Sequence, residues 1–99
     1  MTWIVYILRL RDNSLYCGIT NDYPKRLRTH QAKKGSKYVA SRLPILSSKM
    51  VMEFDCKDGK IEAARLERRI KSLTKSEKER WMSSDFPRQA YLAELASDE

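Results

Sequence analysis

Trp3 to Leu10 (WIVYILRL) is rich in Ile, Val, Tyr and Leu and predicts a strand. Asp12-Asn13-Ser14 is a turn cluster, and Leu15 to Thr20 (LYCGIT) predicts a second strand, so the two form a hairpin. Within each strand alternate residues share a face. Val5 and Ile7 lie on one side of the first strand, Tyr6 and Leu8 on the other. In the second strand Leu15, Cys17 and Ile19 oppose Tyr16, Gly18 and Thr20. A two-residue turn at Asp12-Asn13 would put Tyr6 and Tyr16 on opposite faces. A three-residue loop or a bulge puts them on one face and stacks Val5 and Ile7 with Cys17 and Ile19. The apolar pattern favours that register.

The period then changes. Asn21 or Asp22 can cap a helix that tolerates Pro24 in its first turn. Tyr23, Arg26, Leu27 and His30 fall at i, i+3, i+4 and i+7, which is one helical face. Gly35, after Lys33-Lys34, predicts the C-terminal stop. Residues 36–48 predict a basic connector with a short helical or irregular piece around Tyr38–Ser41, broken by Pro44. Lys49 to Cys56 alternates and predicts a third strand, ended by Asp58-Gly59. Lys60 to Leu73 is the strongest helix, with Ala63, Leu66, Ile70 and Leu73 as its apolar stripe. Thr74-Lys75-Ser76-Glu77 is a capping-box pattern opening a helix to about Met82. Phe86-Pro87 predicts a turn, Gln89 to Leu95 a short last helix and Ser97–Glu99 a frayed end. The expected class is α+β: a small three-stranded antiparallel sheet flanked by helices, in one domain over residues 1–99.

Composition agrees with that size. With 41% hydrophobic and 33% charged residues, the chain reads as globular rather than disordered. No apolar run is long enough to span a bilayer. The start lacks the basic region and cleavage site of a secretory signal. Cys17 and Cys56 have no CxxC spacing, so they predict reduced thiols in a cytoplasmic protein, and the lone histidine completes no zinc site. Charge is more informative. Of the net +7, the excess sits in residues 1–50, where ten Lys or Arg face only Asp12 and Asp22. Residues 51–99 carry ten Lys or Arg against eleven acids. A polyanion, nucleic acid first, is the natural partner for such a surface. A solvated basic face is the bland alternative.

Taken one at a time, the candidate chemical groups are ordinary. A lone histidine on a half-apolar helix face is usually structural, although Arg26 one turn away would keep His30 neutral and able to accept a proton. A free phenol, with a pKa near 10, is a poor base unless cations stabilise the phenolate. Glu67 borders an apolar stripe among Arg65, Arg68 and Arg69, which reads first as a salt bridge and second as a carboxylate ligand for Mg²⁺.

Their order and spacing are less ordinary. Tyr6-Ile7, a short turn, Tyr16-Cys17-Gly18-Ile19-Thr20, then Arg26 and His30 closely resemble the GIY-YIG nuclease family. Lys37-Tyr38, and Glu67 within Leu66-Glu67-Arg68-Arg69-Ile70-Lys71, fit the same pattern. The resemblance covers about residues 3–75, with a helical extension over 76–96, and is to the small stand-alone bacterial members. Those are close in motif style to structure-specific endonucleases that cut branched DNA. Val5 stands where the family has its first glycine and Cys17 where it has isoleucine. A late polar residue, often Asn, used by some members has no clear counterpart.

The resemblance implies Tyr6 as general base on the attacking water, with His30 or Tyr16 accepting or relaying its proton. It implies Arg26 on a non-bridging phosphate oxygen, and Glu67 holding a single Mg²⁺ or Mn²⁺ near the leaving 3′ oxygen. Gly18 would leave room for the phosphate to approach the sheet. Lys33, Lys34, Lys37 and Arg42 would grip flanking phosphates without reading sequence. The expected function is therefore a metal-dependent endonuclease acting on branched or single-stranded DNA, with DNA favoured over RNA and no membrane partner. The alternatives are a nucleic-acid-binding module with the same fold but little turnover, and a structural or interaction domain.

Overall fold

Hydrophobic pairing across the first hairpin sets the frame. In the computed structural model, which describes residues 2–83, β1 (Trp3–Leu10) and β2 (Leu15–Thr20) run antiparallel with Tyr6 opposite Gly18 and Leu8 opposite Tyr16. The register is the one that the apolar pattern demands. It is fixed by a three-residue loop, in which Leu10 N–H donates to the Ser14 carbonyl at 2.9 Å and Asn13 N–H to the Leu10 carbonyl at 2.8 Å. Asn13 takes the left-handed conformation (φ 69°), which asparagine tolerates better than most residues.

Helix α1 (Tyr23–Gln31) follows, with Asp22 as its cap accepting from the Lys25 N–H. Its end departs from the predicted glycine stop. Lys33, at φ 65°, occupies the left-handed position; its N–H donates to the His30 carbonyl and that of Lys34 to the Thr29 carbonyl. These two bonds form a Schellman motif. Gly35 has no positive φ, so it is not the stop.

The one-turn helix α2 (Lys37–Ala40) is capped by Ser36. Strand β3 (Ile45–Phe54) then pairs antiparallel with β1, giving the order β2-β1-β3. It starts four residues before the predicted Lys49 and ends before Cys56. Ser47 and Ser48 have weak strand preference, but their backbone is claimed by Arg9 and Leu8 of β1. Helix α3 (Gly59–Lys71) and helix α4 (Lys75–Met82) complete the described chain. Thr74 and Glu77 make both halves of the capping box. The predicted Phe86-Pro87 turn and the Gln89–Leu95 helix lie outside the described residues.

Two cores result, one on each side of the sheet. Val5, Ile7, Cys17 and Val51 pack against Ala63, Leu66 and Ile70 of α3 and Trp81 of α4. Tyr6, Leu8 and Leu10 pack against Val39 of α2, with Tyr23 and Leu27 of α1 at the margin. Arg9 grips Glu79 through Nη1 and Nη2, tying α4 to β1. No described helix is long and apolar enough to cross a membrane.

Candidate active site

Alternation along β1 points Tyr6 into the second core, and the neighbouring strand makes room for it there. A Cβ on Gly18 would lie 2.5 Å from the Tyr6 hydroxyl oxygen and 2.7 Å from Cζ. The space over Gly18 therefore belongs to the Tyr6 ring. Its expected role as an approach for phosphate is corrected on that ground: the phenol already fills it.

Tyr6 and His30 are both fully buried. Their side chains meet across 24 residues of sequence, with Tyr6 Oη 2.8 Å from His30 Nε2. Arg26, one turn before His30, donates from Nε to the same phenol oxygen at 3.4 Å. Arg26 also lies beside Tyr16, and the two phenols, Tyr6 first, hold its guanidinium in the charged form. The Tyr16 ring stands edge-on to His30 with centroids 5.5 Å apart. The structure thus brings four of the five expected catalytic side chains, Tyr6, Tyr16, Arg26 and His30, into one cluster. Tyr23, which packs on Tyr6 at 5.8 Å, and Tyr38, which stacks on Tyr16 at 6.1 Å, belong to it too. Tyr23 was legible on the helix face of Arg26 and His30; Tyr38 follows Lys37 in the family pattern but had no role assigned.

The protonation states follow from burial and neighbours. Burial pushes the Tyr6 phenol up to about 12, although the Arg26 hydrogen bond pulls the other way. At neutral pH the phenol keeps its proton and donates it to Nε2. Burial first, and Arg26 second, depress the His30 pKa below the ordinary histidine value. The imidazole is then neutral and accepts at Nε2, which leaves the ring proton on Nδ1. That nitrogen is buried without a hydrogen-bond partner.

Glu67 stands apart. It sits on α3, beneath the other face of the sheet, close enough to Cys17 for its charge to help raise the thiol. Its carboxylate pairs with Lys71 at 3.4 Å and is about a fifth exposed. A pocket of about 280 Å³ wraps the free edge of β2 between the two groups. Tyr16 and Tyr38 line it from one side, and Cys17, Ile70, Lys71 and Lys78 from the other. Among the described residues no three His, Cys, Asp or Glu side chains converge as a metal cage. A single hard carboxylate nevertheless suits Mg²⁺ or Mn²⁺, which take their remaining ligands from water and phosphate oxygens. The donor chemistry fits once the Lys71 ammonium gives way.

The basic residues divide. Lys33, Lys34 and Lys37 are exposed around the turn between α1 and α2. Arg42 is engaged in the fold instead: Nε donates to Asp12 at 3.0 Å, Nη1 to the Tyr38 carbonyl at 3.2 Å, and the guanidinium lies 3.7 Å above the Tyr38 ring. These contacts brace the hairpin loop and Tyr38, and about a third of the Arg42 side chain stays exposed.

Known proteins are similar to this chain over most of its length. A family model described as the GIY-YIG catalytic domain matches residues 2–80. A UPF0213 protein of Klebsiella pneumoniae is 42% identical over 98 residues, covering 97% of this chain and 87% of that protein. A UPF0213 protein of Vibrio cholerae is 43% identical over 77 residues, covering 78% and 73%. The solution NMR structure of a UPF0213 protein from Bacillus halodurans is 34% identical, covers 87% of both chains and superposes with a TM-score of 0.49. With most of its length matched, the chain belongs to the GIY-YIG family, whose domain is that of a family of endonucleases, and it groups there with the UPF0213 proteins.

Proposed function

We propose that this protein is a metal-dependent endonuclease that hydrolyses phosphodiester bonds in DNA, with branched or single-stranded DNA as substrate. One observation carries the reading: the Tyr6 phenol oxygen lies between a cation, Arg26, and a neutral acceptor, His30. A phenol held near 12 is no base by itself at neutral pH. Joined to His30, it becomes one. As water attacks phosphorus, its proton passes to Tyr6 Oη, and the proton already on Tyr6 passes to His30 Nε2. Arg26 steadies negative charge on the phenol oxygen during the transfer, and its planar fork suits a non-bridging phosphate oxygen. Arg26 is partly exposed, whereas Tyr6 and His30 are buried. Tyr16 sits against the His30 ring rather than on the phenol oxygen, so the proton goes to His30. Glu67 would hold Mg²⁺ or Mn²⁺, which when bound supplies positive charge to the leaving 3′ oxygen. Lys33, Lys34 and Lys37 would contact flanking phosphates.

A second reading has its own support. Glu67 is already paired with Lys71, and Tyr6 is fully buried. Both suit a binding module that keeps the fold with little turnover. Labelled flap, splayed, Holliday and single-stranded DNA, each with Mg²⁺, Mn²⁺ or EDTA, separates the two. The nuclease reading expects metal-dependent nicking of at least one substrate, abolished in Glu67→Ala. Binding without nicking, with affinity falling steeply as salt rises, favours the module. Equal nicking by wild type and Glu67→Ala points to a contaminant and overturns the assignment.

A further inference from the structure

We propose that Gly35 is a positioning residue, whose lack of a side chain lets the His30 ring reach the Tyr6 phenol. A histidine that handles protons is usually oriented by a hydrogen bond on its other ring nitrogen. His30 has none, because Nδ1 is buried and unpartnered. What it has there is Gly35. A Cβ built on that residue would lie 2.5 Å from Nδ1, 2.9 Å from Cε1 and 3.2 Å from Cγ. The ring edge therefore rests on the Gly35 backbone, and Nε2 is aimed at Tyr6 Oη, 2.8 Å away. Contact replaces hydrogen bonding as the orienting force.

Backbone geometry offers no competing reason for glycine. Gly35 has no positive φ, and the left-handed residue that ends α1 is Lys33. An alanine at position 35 could adopt the same backbone. The requirement is for space, and what occupies the space is one imidazole.

The chemical consequence rests on the proton-transfer role proposed for His30, but the packing claim is tested without it. His30 is the chain's only histidine, so its ring nitrogens give a single set of signals in a ¹⁵N imidazole spectrum. Wild type is expected to show the neutral tautomer protonated on Nδ1 and a titration below the ordinary histidine range. In Gly35→Ala the ring is displaced, the tautomer preference is lost and the titration moves up toward the free value. A double-mutant cycle read by melting temperature isolates the contact. Gly35→Ala should lower the Tm of wild type and leave that of His30→Ala unchanged, since the new methyl enters the vacated space. If Gly35→Ala alone does not fold, a folded Gly35→Ala/His30→Ala double variant supports the same conclusion. An unchanged imidazole spectrum, an equal Tm loss in both backgrounds, or a double variant that also fails to fold overturns it. Absence of DNA cleavage by wild type, with these spectra as expected, would count against the nuclease reading and leave the positioning role standing.

Discussion

Tyr6 and Cys17 are both buried on the central hairpin, on opposite faces of the sheet. Burial pushes each of them up to about 12. The outcomes differ because the surroundings differ. Cys17 sits among Val5, Ile7, Leu66 and Ile70, and Glu67, the largest influence on it after burial, raises it further. Such a thiol is inert packing. Tyr6 has a cation and a proton acceptor on its oxygen, so its proton has somewhere to go. Burial alone turns acidic groups off. Burial beside a cation and a neutral base makes a site. The sheet separates the two groups: the α3 face buries Cys17 in the larger core, and the face toward α1 and α2 holds the Tyr6, Arg26 and His30 cluster.

That division can be broken from the α3 side first. Leu66→Ala, beneath Val5 and Ile7, should cost about 2–5 kcal/mol in a denaturant melt. It should leave the His30 imidazole signals in place wherever the protein remains folded. A shift of those signals would mean that the faces are not independent. On the other face, Lys33→Gly removes the left-handed penalty at φ 65° and should stabilise the fold by about 1 kcal/mol, read in the same melt.

The pH dependence of stability tests the face that holds His30. His30 titrates lower when folded than its ordinary 6.5. As pH falls below 6.5, the unfolded chain binds the proton first, so stability is full above that pH and declines on acidification until the folded pKa is passed. Melts between pH 8 and pH 5 should show this decline in wild type and a smaller one in His30→Gln. Equal slopes would mean that His30 is not buried as the neutral ring. The smallest effect belongs to the Glu67–Lys71 ion pair on α3. Lys71→Ala should change stability by less than about 0.5 kcal/mol, being a partly exposed i,i+4 pair. It should also lower the Mg²⁺ concentration needed for cleavage by releasing Glu67.

Much of the α3 face was legible along the chain. Val5 and Ile7 had to meet Cys17 and Ile19, and that set the hairpin register and put both tyrosines on one side. The Thr74–Glu77 box fixed the start of α4 because its signal is local. The misses are tertiary. Ser47 and Ser48 became strand because β1 needed a partner there. Gly35 looked like a helix stop because glycine usually is one, whereas a Schellman motif at Lys33 ends the helix and Gly35 holds space for a ring. The Arg42–Asp12 pair, across 30 residues, was not legible either. In the candidate site, the resemblance to the GIY-YIG family named Tyr6, Tyr16, Arg26, His30 and Glu67. Which acceptor faced the phenol depended on a contact across 24 residues, which no periodicity encodes.

In the proposed nuclease reading, the Tyr6 oxygen, and not the fold around it, carries the activity. Tyr6→Phe keeps the ring over Gly18 and removes only the oxygen that links Arg26 and His30. Single-turnover cleavage of the best DNA substrate in Mg²⁺ should fall by about 10²–10⁴-fold in this variant, with its circular dichroism spectrum and DNA affinity near those of wild type. Cleavage at the wild-type rate by folded Tyr6→Phe would contradict the account.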